Sequence, residues 1–229
     1  MQKELPTDDE AAAHNVTQRL IEFAHRFDTR STDSGALERI LDGELFKGGI
    51  VGQAPEFFTE QYLIVPVLNA LGFKQVRWRP VDLMKAERKQ PDFQIDDPPS
   101  STVCIVESKR LGCEMSDASA SKQIEGYLVD DTFIKYSTKH NRRYLVGIAT
   151  DGVSWTLYAK PIGHREPICI GSISILDELH TLARAHRQAT KPECTLTREM
   201  SAQLEESLIP LFANHNLHSV VTEEVRNRY

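Results

Sequence analysis

Cysteine is scarce and scattered. The four residues Cys104, Cys113, Cys169 and Cys194 show no C-x-x-C pair, so neither a disulfide framework nor a cysteine zinc site is expected. Cys104 lies in an apolar run and reads as a buried free thiol. The eight histidines are equally dispersed; His180 and His186 fall on one expected helix without an H-E-x-x-H pattern. No apolar run approaches the roughly 20 residues that span a bilayer. The acidic opening MQKELPTDDEAAAHN lacks the apolar core of a signal peptide, so a reducing cytoplasm and no membrane partner are the expectation. The glycines of Lys47-Gly48-Gly49-Ile50-Val51-Gly52 are followed by no G-K-[ST], which excludes a phosphate-cradling P-loop and leaves a hinge.

Basic charge is also in deficit. A net charge of −6 argues against a polyanion partner until its distribution is read. Lys74 to Arg143 holds 13 basic and 11 acidic residues, against 14 and 22 in the rest of the chain. The acidity therefore lies in the flanks, and the middle remains open to nucleic acid.

What is present is a set of periodic segments. Val16, Leu20, Phe23, Ala24 and Phe27 form one apolar stripe of a helix after Asp8. A short helix after Ser34-Gly35 is expected to bury Leu37, Ile40, Leu41 and Leu45. Thr59 can cap the helix FTEQYLIVPVLNALGF, bent at Pro66 and stopped by Gly72. Extended segments follow at 74–79, 91–95 and 102–108, the last two separated by a turn over 96–101. TVCIVES, Thr102 to Ser108, has the β-branched apolar character of a central strand buried on both faces. After a polar loop from Gly112 to Ser116, one helix is expected from about Asp117 to Lys135. YLVGIAT and SWTLYAK then pair around a two-residue Asp151-Gly152 turn. A further strand at 168–173 and two helices, near 176–186 and 197–213, complete the reading.

Chemistry concentrates at Pro91-Asp92 and Glu107-Ser108-Lys109. In an extended segment alternate side chains share a face, so Glu107 and Lys109 point the same way. If the strands pair as a hairpin, Asp92 meets Glu107 at one end of the sheet. Two carboxylates plus a backbone carbonyl, here that of Ser108, make an oxygen-rich site for a hard cation such as Mg²⁺. Beside it Lys109 can orient or deprotonate a water. The plainer alternative is a solvated ion pair. Against it, Glu107 ends an apolar strand, where an uncompensated carboxylate is costly.

The order of Glu60 on a helix, PDF at Pro91 to Phe93, CIVESKR at Cys104 to Arg110 and Gln123-Ile-Glu-Gly-Tyr127 resembles the PD-(D/E)XK nuclease superfamily. More narrowly it resembles the N-terminal nuclease domain of type I restriction enzyme R subunits. The resemblance covers about 59–160. It implies a restriction-endonuclease-like α/β fold, a mixed central β-sheet flanked by helices with extra N- and C-terminal helices. The division would be a helical extension at 1–55, a nuclease core at 56–173 and C-terminal helices at 174–229. It further implies Asp92, Glu107 and Lys109 as catalytic, with Gln123 and Tyr127 positioning the scissile strand. Glu60, Asp92, Glu107 and Ser108 would hold Mg²⁺, or Mn²⁺ in its place.

The implied activity is metal-dependent hydrolysis of DNA in restriction or antiviral defence. Any motor or specificity function would come from a protein partner or be absent, and double-strand cutting with one site per chain would call for a homodimer. A repair nuclease of the same fold and a catalytically silent nucleic-acid-binding or scaffolding module are the alternatives. Several neighbours have plainer readings as well. Glu60 could serve only the helix macrodipole, and Gln123 and Tyr127 only an interhelical hydrogen bond. Arg110 and the basic loop Lys85, Arg88 and Lys89 face phosphate or solvent. Trp78 and Trp155 are read as core or sheet-face residues, with base stacking as the lesser alternative.

Overall fold

The computed structural model describes residues 5–83, 90–96, 101–112, 120–187 and 194–229. Its frame is a six-stranded sheet whose spatial order equals its chain order: β1 (Val76–Trp78), β2 (Phe93–Ile95), β3 (Thr102–Ser108), β4 (Tyr144–Thr150), β5 (Ser154–Pro161) and β6 (Ile168–Ser174). Every neighbouring pair is antiparallel except β3–β4, which run parallel and so require a crossover. The chain supplies it with α5 (Ala120–Leu128) and α6 (Asp131–Lys139). The fold is thus α/β with a mixed sheet between helices.

All seven residues of β3 are buried, as its composition predicts, and the strand's two-residue period divides them between two clusters. Cys104 and Val106 join the larger one, which spreads over one sheet face and reaches α1 (Asp8–Arg30), α7 (Leu176–Arg187), α8 (Cys194–Phe212) and α9 (Asn214–Arg228). Val103 and Ile105 point the other way, into a smaller cluster with Ile124, Tyr127, Leu128 and Phe133 of α5 and α6. Gly147 on β4 lets α5 lie close, because a Cβ there would sit 2.3 Å from Ile124 Cγ2.

α1 opens with a capping box between Thr7 and Glu10 and buries the whole predicted stripe. It packs along α8, α7 and α4 (Val65–Ala70). α2 (Ala36–Leu41) buries Leu37, Ile40 and Leu41, but Leu45 lies beyond its end and is half exposed.

The next helix differs from expectation. α3 (Pro55–Thr59) starts with proline at its first position, where a missing N–H costs nothing, so Ala54 and not Thr59 is the cap. A π turn (Glu60–Ile64) follows before α4, and the Val65 N–H donates to Glu60 O. Pro66, just beyond, has no N–H to continue the ladder, which places the irregularity where the bend was expected. Gly72, at φ 95°, ends the helix, with the Phe73 N–H donating to Leu68 O.

Three further expectations are corrected. The single helix to Lys135 is two, because Asp130 turns extended and caps α6 through the Thr132 N–H. The β4–β5 pairing closes at Thr150 and Trp155, so the connection is four residues long and not two. Asp151 organises it, accepting from the Val153 and Ser154 N–H groups. At the C-terminal end a third helix, α9, follows α8. The basic loop at Lys85, Arg88 and Lys89, most of the turn at 96–101, Cys113 and the helix onset at Asp117 lie outside the described residues. Cys104 is a buried free thiol. No helix among the described residues is long and apolar enough to cross a membrane.

Candidate active site

Antiparallel register brings the two acidic segments together. Phe93 pairs with Val106, so one step further Asp92 stands beside Glu107 at the C-terminal end of β3. The strand's alternation then separates the side chains. Glu107 and Lys109 share one side, and Lys109 Nζ donates to Glu107 Oε1 at 2.9 Å. Ser108 points to the opposite side, toward the π turn. Its Oγ lies 2.6 Å from Glu60 Oε1 and 2.9 Å from Asp92 Oδ2, while its N–H donates to the same Asp92 oxygen at 2.8 Å. A hydroxyl has one hydrogen and donates to one carboxyl at a time; the second contact is satisfied when that carboxyl itself carries a proton.

Electrostatics agree with that requirement. Burial, reinforced by the Asp92 and Glu56 charges, pushes the Glu60 carboxyl up to about 7 against the opposing Ser108 hydrogen bond. Glu107 is 4% exposed; burial and then the Asp92 charge push it to about 7 as well, against Lys109. Its Oε2 is buried without a close hydrogen-bond partner among the described residues, although the Asp92 backbone is near enough to act against the shift. Desolvation works against the Lys109 charge, yet Glu107, Asp92 and Glu56 together hold the ammonium above its ordinary value.

Lys109 is anchored at both ends. Its N–H donates to Thr150 O of β4, and Nζ donates to Ser108 O at 2.8 Å, with Glu56 Oε1 at 4.0 Å. Thr59 Oγ1 accepts the Leu111 N–H and fixes the chain just beyond. Arg79 N–H donates to Asp92 O, tying β1 to the site.

Of the sequence-predicted residues, the structure brings together Glu60, Asp92, Glu107, Ser108 and Lys109. Tyr127 lies in the buried layer beneath, close enough for the Glu107 and Asp92 charges, after burial, to raise its pKa. Its hydroxyl donates to Gln90 O, two residues before Asp92. Gln123, one turn earlier on α5, is exposed and makes no hydrogen bond to the carboxyl group cluster among the described residues. Sequence reasoning did not find the bridging hydroxyl of Ser108, the tie from Thr59, or the placement of Glu56 and Arg79. Each depends on a contact between segments far apart in the chain, for which local spacing carries no signal.

Among the described residues, no group of three or more His, Cys, Asp or Glu side chains is arranged to hold a metal ion. The donors that fit a hard cation are fewer and mixed: the Asp92 and Glu107 carboxyls and the Ser108 carbonyl. Mg²⁺ characteristically takes one or two carboxylates and completes its shell with water and phosphate. Burial is the main cause of both raised carboxyl pKa values, with the neighbouring Asp92 charge adding to each. No family model, curated protein or solved structure matches the chain.

Proposed function

We propose that this chain is a metal-dependent DNA nuclease of the PD-(D/E)XK type, acting in restriction or defence against foreign DNA. The observation that carries the reading is the meeting of Asp92, Glu107, Ser108 and Lys109 at the end of one buried strand. Asp92, Glu107 and the Ser108 carbonyl would hold Mg²⁺ or Mn²⁺. When bound, the cation supplies charge for a phosphate oxygen and acidity for a water. Lys109 Nζ, on the Glu107 side, orients the attacking water and offsets charge on the phosphate. Glu60 acts through the Ser108 hydroxyl, which keeps Asp92 from turning away. Tyr127 holds the approach to Asp92 through the Gln90 carbonyl.

Cleavage of supercoiled, linear and single-stranded DNA with Mg²⁺, Mn²⁺ or EDTA tests the proposal. The wild type is expected to cut only with metal, and Asp92→Ala and Lys109→Ala to lose about a hundredfold or more of the rate. Both variants should keep the wild-type circular dichroism. Cutting that survives in EDTA, or in both variants, would refute the assignment, as would a wild type that neither cuts nor binds a divalent cation in a calorimeter.

A further inference from the structure

We infer that Phe57, Trp78 and Arg79 form a base-stacking platform at the rim of the candidate site, made for nucleic acid with unpaired bases beside the scissile phosphate. The inference rests on the nuclease reading and narrows its substrate. Phe57 is 45% and Trp78 39% exposed, in a fold that buries most of its large aromatic side chains. Their rings meet edge to face at 5.6 Å, and Trp78 stands in the same way on the buried Phe93, 4.9 Å away. The pair is therefore propped from below and presents ring surface to solvent in a fixed orientation.

The platform is joined to the site through both elements that build it. Phe57 follows Glu56, whose carboxyl is 4.0 Å from Lys109 Nζ, and precedes Glu60 by three residues. Trp78 pairs with Phe93, the residue after Asp92. Arg79 comes next, at φ 42°, a left-handed conformation that a residue with a Cβ adopts at a cost. The Asp92 carbonyl holds it there. The Arg79 side chain is exposed, and its guanidinium makes no hydrogen bond or ion pair among the described residues. Its charge is felt at Glu60.

Two exposed rings and, on the next residue of the chain, a guanidinium with no hydrogen bond or ion pair among the described residues match one kind of occupant. Every base offers a π-face to an aromatic side chain, and its phosphate offers an anion to Arg79. In a paired duplex those faces are already stacked and only base edges are open. The occupant is then a single strand, a flap or a frayed end.

Tryptophan fluorescence provides the test, because Trp155 is fully buried and Trp78 alone can stack on a ligand. The full chain is titrated with a single-stranded oligonucleotide, a forked duplex and a blunt duplex, with Ca²⁺ as the hard cation. The unpaired and forked DNA are expected to quench emission and the blunt duplex to leave it unchanged. By anisotropy, Trp78→Ala and Phe57→Ala should each weaken binding of the single strand about tenfold, and Trp78→Phe should restore it. Arg79→Ala should lower the salt dependence by about one phosphate contact. Blunt duplex bound as tightly as the single strand, Trp78→Ala without effect, or no DNA bound at all would each overturn the platform. Cleavage in Mg²⁺ is read separately. Stacking by a wild type that neither cuts in Mg²⁺ nor binds a divalent cation would refute the nuclease reading and keep the platform, whereas cleavage indifferent to Trp78 would do the reverse.

Discussion

Glu60 is buried beside the Asp92 and Glu56 charges, and burial sets its response to pH against the Ser108 hydrogen bond. Folding raises the Glu60 pKa from an ordinary 4.5 to about 7, so the folded chain favours the protonated form. Stability from that preference is fully present below pH 4.5 and fades as pH rises through about 7. Glu60→Gln keeps a carbonyl oxygen for the Ser108 hydroxyl and carries no charge to desolvate. Without metal, the variant should match the wild type near pH 4 and exceed it at pH 8 by about 1–3 kcal/mol. Urea unfolding at both pH values measures the difference; equal stabilities at pH 8 would mean that Glu60 is not a strained carboxylate.

At the scale of elements, the crossover is held down by the absence of a side chain. Ile124 of α5 fills the space above Gly147, and a Cβ at 2.3 Å cannot be accommodated without moving the helix. Gly147→Ala is expected to cost about 1–3 kcal/mol, the usual range for overpacking. Because α5 carries Tyr127, which fixes Gln90 ahead of Asp92, DNA cleavage should fall along with the melting temperature. An unchanged melting temperature would show that α5 is free to shift.

The strands and the stronger helices were legible because a two-residue or 3.6-residue period survives in their sequences. Asp130 looked like one more polar residue on a helix, although Asp is a good cap wherever the backbone turns extended. α9 buries only Leu217, Val221 and Val225 on a polar surface, too thin a stripe to separate from a tail. At the site, Asp92, Glu107 and Lys109 were legible as a motif, and their convergence followed once two strands were paired. The hydroxyl bridge from Ser108 to Glu60 was not. It spans 48 residues and depends on a π turn whose place Pro66 marks but whose widened hydrogen bonding it does not specify.

Over the whole molecule, the helix that delivers Glu60 is held from behind by an aromatic group. Phe27 of α1 lies 5.6 Å from Phe58 and 5.5 Å from Phe46, ring centre to ring centre, and Phe58 also faces Phe23. Phe27→Ala should cost about 3–5 kcal/mol in denaturant unfolding. A loss below about 1 kcal/mol would show that α1 is a detachable cover and not part of the core.

That arrangement also sets a timetable for a chain synthesised from its N terminus. α1 packs most extensively on α8, whose last residue is added about 180 residues after Arg30. At roughly 5–20 residues per second, the apolar stripe of α1 waits about 10–35 s for its principal partner. Over that interval the apolar stripe of α1 lacks the surface that covers it most extensively in the folded chain.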